Sequence, residues 1–234
     1  MTEREQVDWD AFYQKEPDIT ETDPAKDLFR LDRCKAALRV LPRGHIASLL
    51  DVGCGDGVFC QWIGSQVAVN RLAGVDVSTV LLERAKRRCP GVELHLGKLP
   101  NLPFADNEFQ VVTLIEVLEH LPDPVSALRE IFRVSSSHAV VTVPDRREPS
   151  VVMCPHCLKT FPISGHLHYF DPAKLRTVVE QAGFVVEEIR VYRRSPYGSI
   201  PAAMRWAARL RDTIRFALDP MARGKYLVCR ARKG

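Results

Sequence analysis

The sequence predicts an α/β fold, a doubly wound and mostly parallel sheet with helices on both faces, and three observations carry that expectation. Short apolar runs rich in strand-forming residues alternate with stretches of helical period. The first run leads straight into a turn with glycine at every second position, Gly53, Gly55 and Gly57. The second run closes on a carboxylate, Asp76, about where an acidic residue follows the glycine turn in nucleotide-binding sheets. A chain of 234 residues suffices for one large domain with appendages and falls short of two generous ones.

Residues 1–44 read as an N-terminal helical lid segment and 45–234 as the main domain. In the former, Trp9, Phe12 and Tyr13 could close as an aromatic lid over a ligand, or pack as a plain helix on the sheet edge. Strands are expected at 47–52, 72–77, 92–96, 109–115, 139–143, 184–191 and 225–230. Helices are expected at 80–88, 124–134 and 171–182, the last opened by Asp171-Pro172 and stopped at Gly183. Two segments exceed what this alternation needs. The 144–170 connection, which holds Cys and His residues, is far longer than the roughly two to six residues usual between such elements, so it is read as functional. An insertion at 195–224 contains an expected basic helix at 201–218.

Composition narrows the class. Hydrophobic residues make up 46% and charged residues 26%, which suggests neither disorder nor a membrane-embedded chain. No apolar run reaches the roughly 18 residues of a spanning helix, and the N-terminus is polar, so a cytoplasmic protein is expected. Seven scattered cysteines form no secreted disulfide framework and fit a reducing compartment. The net charge of +4 belongs to the C-terminal end, because 190–234 carries twelve Lys/Arg against Asp212 and Asp219. In 201–218, Met204, Ala207, Leu210, Ile214 and Leu218 recur at helical spacing, with Arg205, Arg209, Arg211 and Arg215 largely elsewhere. Such a helix could cap a substrate cleft, make a dimer contact, or touch a peripheral anionic membrane or a nucleic acid. An acidic or phosphorylated substrate would suit its charge.

Glycines in the 53–57 turn let backbone N–H groups approach a ligand with no Cβ in the way. A dinucleotide fingerprint needs a third glycine or alanine at 58, where Val58 stands, which argues against a nicotinamide oxidoreductase. Asp76 could accept both vicinal hydroxyls of an unphosphorylated ribose, or simply cap the helix that follows.

Read together, Leu49 to Gly57, Val75 to Ser78, Leu102 to Phe109, Glu116 to Leu121 and Glu180 to Phe184 resemble, in order, the motifs of class I S-adenosylmethionine-dependent methyltransferases, type 11-like. The resemblance covers about residues 45–190. It implies a Rossmann-like, seven-stranded sheet whose last strand runs antiparallel, and S-adenosylmethionine as methyl donor. It implies Asp51, Gly53, Cys54 and Gly55 around the donor's methionine part, Asp76 on its ribose, Val77 against the adenine, Leu99 near the ring edge, and Glu116 also on the donor side. One departure is Lys98, where the family often carries an Asp that reaches the adenine amino group. A backbone carbonyl or water must take that contact.

Methyl transfer is an in-line displacement, so alignment and exclusion of water dominate, and a hydroxyl acceptor adds the need for a proton sink. Glu116, Glu119 and His120 follow the fourth expected strand, where family active sites open, and His120 is the preferred base. Glu119 and His120 could instead merely cap or pair with the next helix. Glu116-x-x-Glu119-His120 with His166-x-His168 is also similar to the metal-binding set of small-RNA 2′-O-methyltransferases, which hold magnesium, manganese or zinc. The same E-x-x-E-H pattern is common in small-molecule methyltransferases. Cys154 and Cys157, with His166 and His168, offer a tetrahedral zinc site, unless the cysteines are only small apolar residues. The expected function is methyl transfer to an oxygen, nitrogen or carbon of a small-molecule acceptor, with a donor-binding module lacking catalysis as the rival.

Overall fold

The structure is a computed structural model that describes residues 8, 11–12, 28–145, 151–153, 156, 158, 160–162, 165–193 and 225–234. In chain order its elements are α1 (Leu28–Leu38), β1 (Ile46–Val52), α2 (Val58–Gln66), β2 (Val69–Asp76), α3 (Thr79–Arg88), β3 (Glu93–Leu96) and β4 (Phe109–Ile115). A 3-10 turn (Leu118–His120) leads to α4 (Pro124–Val134), β5 (Ser135–Pro144), β6 (Val151–Met153), β7 (Thr160–Pro162), α5 (Pro172–Gln181), β8 (Phe184–Arg193) and β9 (Lys225–Lys233). Seven of the strands form one sheet in the order β3-β2-β1-β4-β5-β9-β8. The pairs from β3 to β5 are parallel, and β9 runs antiparallel between β5 and β8. This is the doubly wound, mostly parallel sheet the sequence leads one to expect, with the reversed last strand that the family resemblance implied.

Neighbouring residues on the central strands serve different cores. Leu50, Val112 and Val141 pack with Leu128 and Ile131 of α4 and Leu175 and Val179 of α5. Leu49, Val111 and Val140 pack on the other face, with Ala37 of α1 and Phe59 and Ile63 of α2. A strand turns successive side chains to opposite faces, so a strand covered on both sides must be apolar at every position. Both faces being sealed, the sheet's accessible polar groups gather at its ends.

Three helix starts are set by side-chain caps, whereas α2 begins at Gly57 without one. Ser78 accepts from Leu81 N at α3, Asp123 from Val125 N and Ser126 N at α4, and Asp171 from Lys174 N at α5, each satisfying amides the helix leaves open. Pro124 and Pro172 occupy first-turn positions where the missing N–H costs nothing. The 144–170 connection is not all loop, since β6 and β7 pair as a short antiparallel hairpin. Among the described residues no helix is long and apolar enough to cross a membrane. The expected helix at 201–218, Cys154, Cys157, Trp9 and Tyr13 lie outside the described residues.

Candidate active site

The first two strands end side by side, and the glycine turn crosses from one to the other. Gly53 N and Cys54 N both donate to Val75 O, at 2.8 and 3.1 Å, which stitches the turn to β2. Gly55 N donates to Oδ2 of Asp76 at 2.8 Å, and Ser78 N to its Oδ1 at 2.9 Å. Asp56 is drawn inward to Arg88 of α3 at 2.9 Å. Cys54 turns its side chain into the core, where it would meet a Cβ on Gly74, so only its backbone faces the turn's outer side.

Why bare backbone is needed differs along this turn. A Cβ on Gly53 would collide with Cγ2 of Val117, so the close approach of the post-β4 segment demands glycine there. At Gly55 the nearest protein atom to such a Cβ is Leu81 Cδ1 at 3.9 Å, leaving a concavity beside Asp76 that a bound molecule can use. That open cradle and its carboxylate fit the adenosyl donor implied by the fold family.

Asp51 lies beneath the turn, 2% exposed, and accepts from Thr113 Oγ1 at 2.7 Å. Burial raises its carboxyl to about 7; the Thr113 hydrogen bond opposes the rise and the nearby Asp76 charge adds to it. Burial also raises Asp76, held down by the N–H groups of Ser78, Gly55 and Val77. Val77 is 37% exposed, an uncovered apolar side chain immediately after that carboxylate. Leu99 packs on the core edge of the following segment, which Arg133 fixes by donating to Phe104 O at 2.8 Å.

Beyond β4 the three acidic or basic candidates part company. Glu116 takes a left-handed backbone (φ 56°) and donates its N–H to Thr142 O at 3.0 Å. Its Oε1 accepts from Thr142 Oγ1 at 3.0 Å and its Oε2 lies 3.6 Å from Arg33 Nε of α1. Glu119 is buried and faces His120, whose Nε2 is 3.9 Å from Glu119 Oε1. His120 Nδ1 meets Gly165 O at 3.3 Å, and burial lowers the pKa of its ring. His166 joins this pair from the long connection, its Nε2 also 3.9 Å from Glu119 Oε1. His168 turns away, its Nε2 3.2 Å from Pro122 O. The structure therefore brings Glu119, His120 and His166 together, and leaves Glu116 and His168 outside the cluster that sequence spacing assembled. Arg33, Thr142, Thr113 and Arg88 escaped sequence reading, because only the tertiary fold brings them to the site.

One end of the sheet thus brings together an open glycine turn beside the Asp76 carboxylate and a histidine cluster after β4. Residues 20–189 match a family described as a methyltransferase domain, and the chain belongs to that family. Its family and its fold are those of the class I S-adenosylmethionine-dependent methyltransferases. It is 28% identical to demethylmenaquinone methyltransferase of Staphylococcus saprophyticus over 61% of this chain and 72% of that one. To the ubiquinone biosynthesis O-methyltransferase of Pseudoalteromonas translucida it is 31% identical over 58% of this chain and 63% of that one. Across curated relatives that it matches, the chain spans from 26% to 72% of their own length. In fold it is similar to an S-adenosylmethionine-dependent methyltransferase from Mesorhizobium loti, with TM-score 0.65 and 19% identity, covering 88% of this chain and 100% of that one.

Proposed function

We propose that the protein transfers the methyl group of S-adenosylmethionine to a small-molecule acceptor. The open face at Gly55 beside the Asp76 carboxylate is the observation that carries this reading. Asp51, Gly53, Cys54 and Gly55 would surround the methionine part, Asp76 the ribose, Val77 the adenine face and Leu99 its edge, with Glu116 closing the donor side. When bound, the donor supplies a methyl on a positively charged sulfonium. The protein's own task is to align, to exclude water and to manage one proton.

For a hydroxyl acceptor, the cluster of Glu119, His120 and His166 is where that proton would be handled. Burial favours a neutral His120 ring, able to accept a proton, and the adjacent Glu119 carboxylate would stabilise the imidazolium formed. Two relatives whose names specify demethylmenaquinone and ubiquinone biosynthesis support a quinone-class acceptor as the first class to test.

The test couples two measurements: calorimetric titration with S-adenosylhomocysteine, and transfer of labelled methyl to demethylated quinone precursors and to a cell extract. Wild-type protein should bind the product and methylate an acceptor. Binding without transfer to any acceptor would favour a donor-binding module, and failure to bind at all would sink the donor assignment.

A further inference from the structure

The 144–170 connection returns to the end of β4 and is fastened there by backbone. Leu167 N and His168 N both donate to Glu119 O, at 2.8 and 3.0 Å. This docking sets the His166 ring edge-on to His120, with centroids 4.9 Å apart and planes at 71°. The Nε2 atoms of both rings face the same carboxylate oxygen, Glu119 Oε1, each at 3.9 Å. Those separations are too long for direct hydrogen bonds. One ligand atom from each of the three residues lies within 4.8 Å of the others.

The arrangement has the marks of a cation site rather than a hydrogen-bonded triad. His120 Nδ1 lies 3.3 Å from Gly165 O and would give it the ring proton, which leaves the Nε2 lone pair turned toward the Glu119 carboxylate. A ring N–H given to a backbone carbonyl fixes the tautomer and the orientation of a metal-bound imidazole. Zinc holds nitrogen and oxygen ligands at about 2.0–2.2 Å, so ligand atoms sharing one ion in a tetrahedron stand roughly 3.4 Å apart. Reaching that spacing from 3.9 Å for the two histidine–carboxylate pairs, and from at most 4.8 Å between the two rings, needs side-chain shifts of about an ångström.

We propose that Glu119, His120 and His166 form a divalent transition-metal site of the two-histidine, one-carboxylate kind, with a coordination position left for an oxygen of the acceptor. Mixed nitrogen and oxygen ligands favour zinc or a neighbouring transition metal over calcium or magnesium, which take oxygen. Among the described residues the site has three protein ligands rather than four, the mark of a site that keeps a place for water or substrate. Glu116 is excluded by its engagement with Thr142 and Arg33, and His168 by its contact with Pro122 O. An ion here would bind a hydroxyl acceptor as its oxyanion, the proton passing to solvent, and His120 would then act as ligand rather than base. That last step rests on the methyl-transfer reading, whereas the metal site itself does not.

Metal-stripped full-length protein should be titrated with Co²⁺, read by its visible ligand-field bands, and with Zn²⁺. S-adenosylhomocysteine affinity, measured for every variant, reports folding and the donor site separately. One saturable ion per chain is expected. Glu119→Gln and His166→Ala should each weaken it by at least the roughly 10–100-fold seen when a group that only orients a ligand is lost, with donor-product affinity unchanged. Should Glu119→Gln fail to fold, His166→Ala decides. The proposal is overturned by no saturable binding, or by Co²⁺ affinity unchanged in these variants, or by binding that survives Glu119→Gln yet vanishes in Cys154→Ser. Intact metal binding without affinity for S-adenosylhomocysteine would overturn the donor assignment alone.

Discussion

Gly55 N donates to Oδ2 of Asp76 at 2.8 Å, so the backbone of the first turn is clasped by the carboxylate that ends the second strand. With Ser78 N on the other oxygen, the carboxylate is fixed in orientation before any ligand arrives, and it retains lone pairs for ribose hydroxyls. Hydrogen bonds to a charged group contribute about 1.5–3 kcal/mol each. Asp76→Ala should therefore lower S-adenosylhomocysteine affinity about 10- to 100-fold, and Asp76→Asn by less, since the amide keeps one acceptor. Calorimetry measures both. Wild-type affinity in Asp76→Ala would remove the ribose role.

The two glycines before and after Cys54 should fail differently when given a methyl group. Both have positive φ, 75° at Gly53 and 56° at Gly55, so each substitution carries about 1 kcal/mol of backbone cost. Gly53→Ala adds a clash with Val117 Cγ2, and overpacking of this kind typically costs a further 1–3 kcal/mol or so. Gly55→Ala meets no protein atom closer than 3.9 Å. Denaturant melts should show the larger stability loss in Gly53→Ala, while calorimetry should show the larger affinity loss per unit of stability lost in Gly55→Ala. Equal affinity of Gly55→Ala and wild type would mean that the open face is not the donor's seat.

What the sequence disclosed follows from how local each cause is. The parallel strands were legible because sealing both faces makes runs such as Leu49-Leu50 and Val111-Val112 uniformly apolar. Asp123-Pro124 and Asp171-Pro172 announced their helices because a cap and a first-turn proline act within three residues. Helix α1 was harder to delimit, since Arg30, Asp32, Arg33 and Lys35 interrupt its apolar face. Strands β6 and β7 are three residues each, too short for alternation to register. At the site, Gly53, Gly55 and Asp76 stood in a recognisable order, but Gly57 faces Ala85 and Cys89 of the α3 region, a packing requirement that no local pattern announces. His166 and His168 look equivalent in sequence. Only the docking of Leu167 N and His168 N on Glu119 O determines that one ring enters the cluster and the other turns to Pro122.

The raised Asp51 carboxyl makes both folding and donor binding proton-linked. A carboxylate whose folded pKa is raised from 3.8 to about 7 holds a proton more tightly when folded. Its contribution to stability is fully present below 3.8 and is lost as pH rises through about 7. Wild type should therefore lose stability relative to Asp51→Asn between those limits, by a few kcal/mol as an order of magnitude. Melting temperatures across pH 4–8 test this, and a difference independent of pH would contradict it. If the donor's ammonium lies near Asp51, as proposed, binding should also expel that proton. Calorimetry of S-adenosylhomocysteine in buffers of differing ionisation enthalpy should then show proton release near pH 6, fading by pH 9 and absent in Asp51→Asn.

Helix α1 reaches the site through an ionic contact, Arg33 Nε to Glu116 Oε2 at 3.6 Å, with Arg33 also 5.6 Å from the Tyr226 ring centroid. The Glu116 side chain is only 7% exposed and the Arg33 side chain 26%, so solvent screens the pair only partly. Glu116 also carries a left-handed backbone, a conformation that costs of order 1 kcal/mol and persists only where neighbours determine it, here through Thr142. Arg33→Met should lower stability by about 1–3 kcal/mol by leaving a largely buried carboxylate short of its cation. The Arg33→Met, Glu116→Gln double variant should recover part of that loss, giving a coupling energy of about 0.5–1.5 kcal/mol in urea unfolding. Strict additivity of the two single changes would show that α1 is held by apolar contacts such as those of Cys34 and Ala37, with no energetic link from Arg33 to the end of β4.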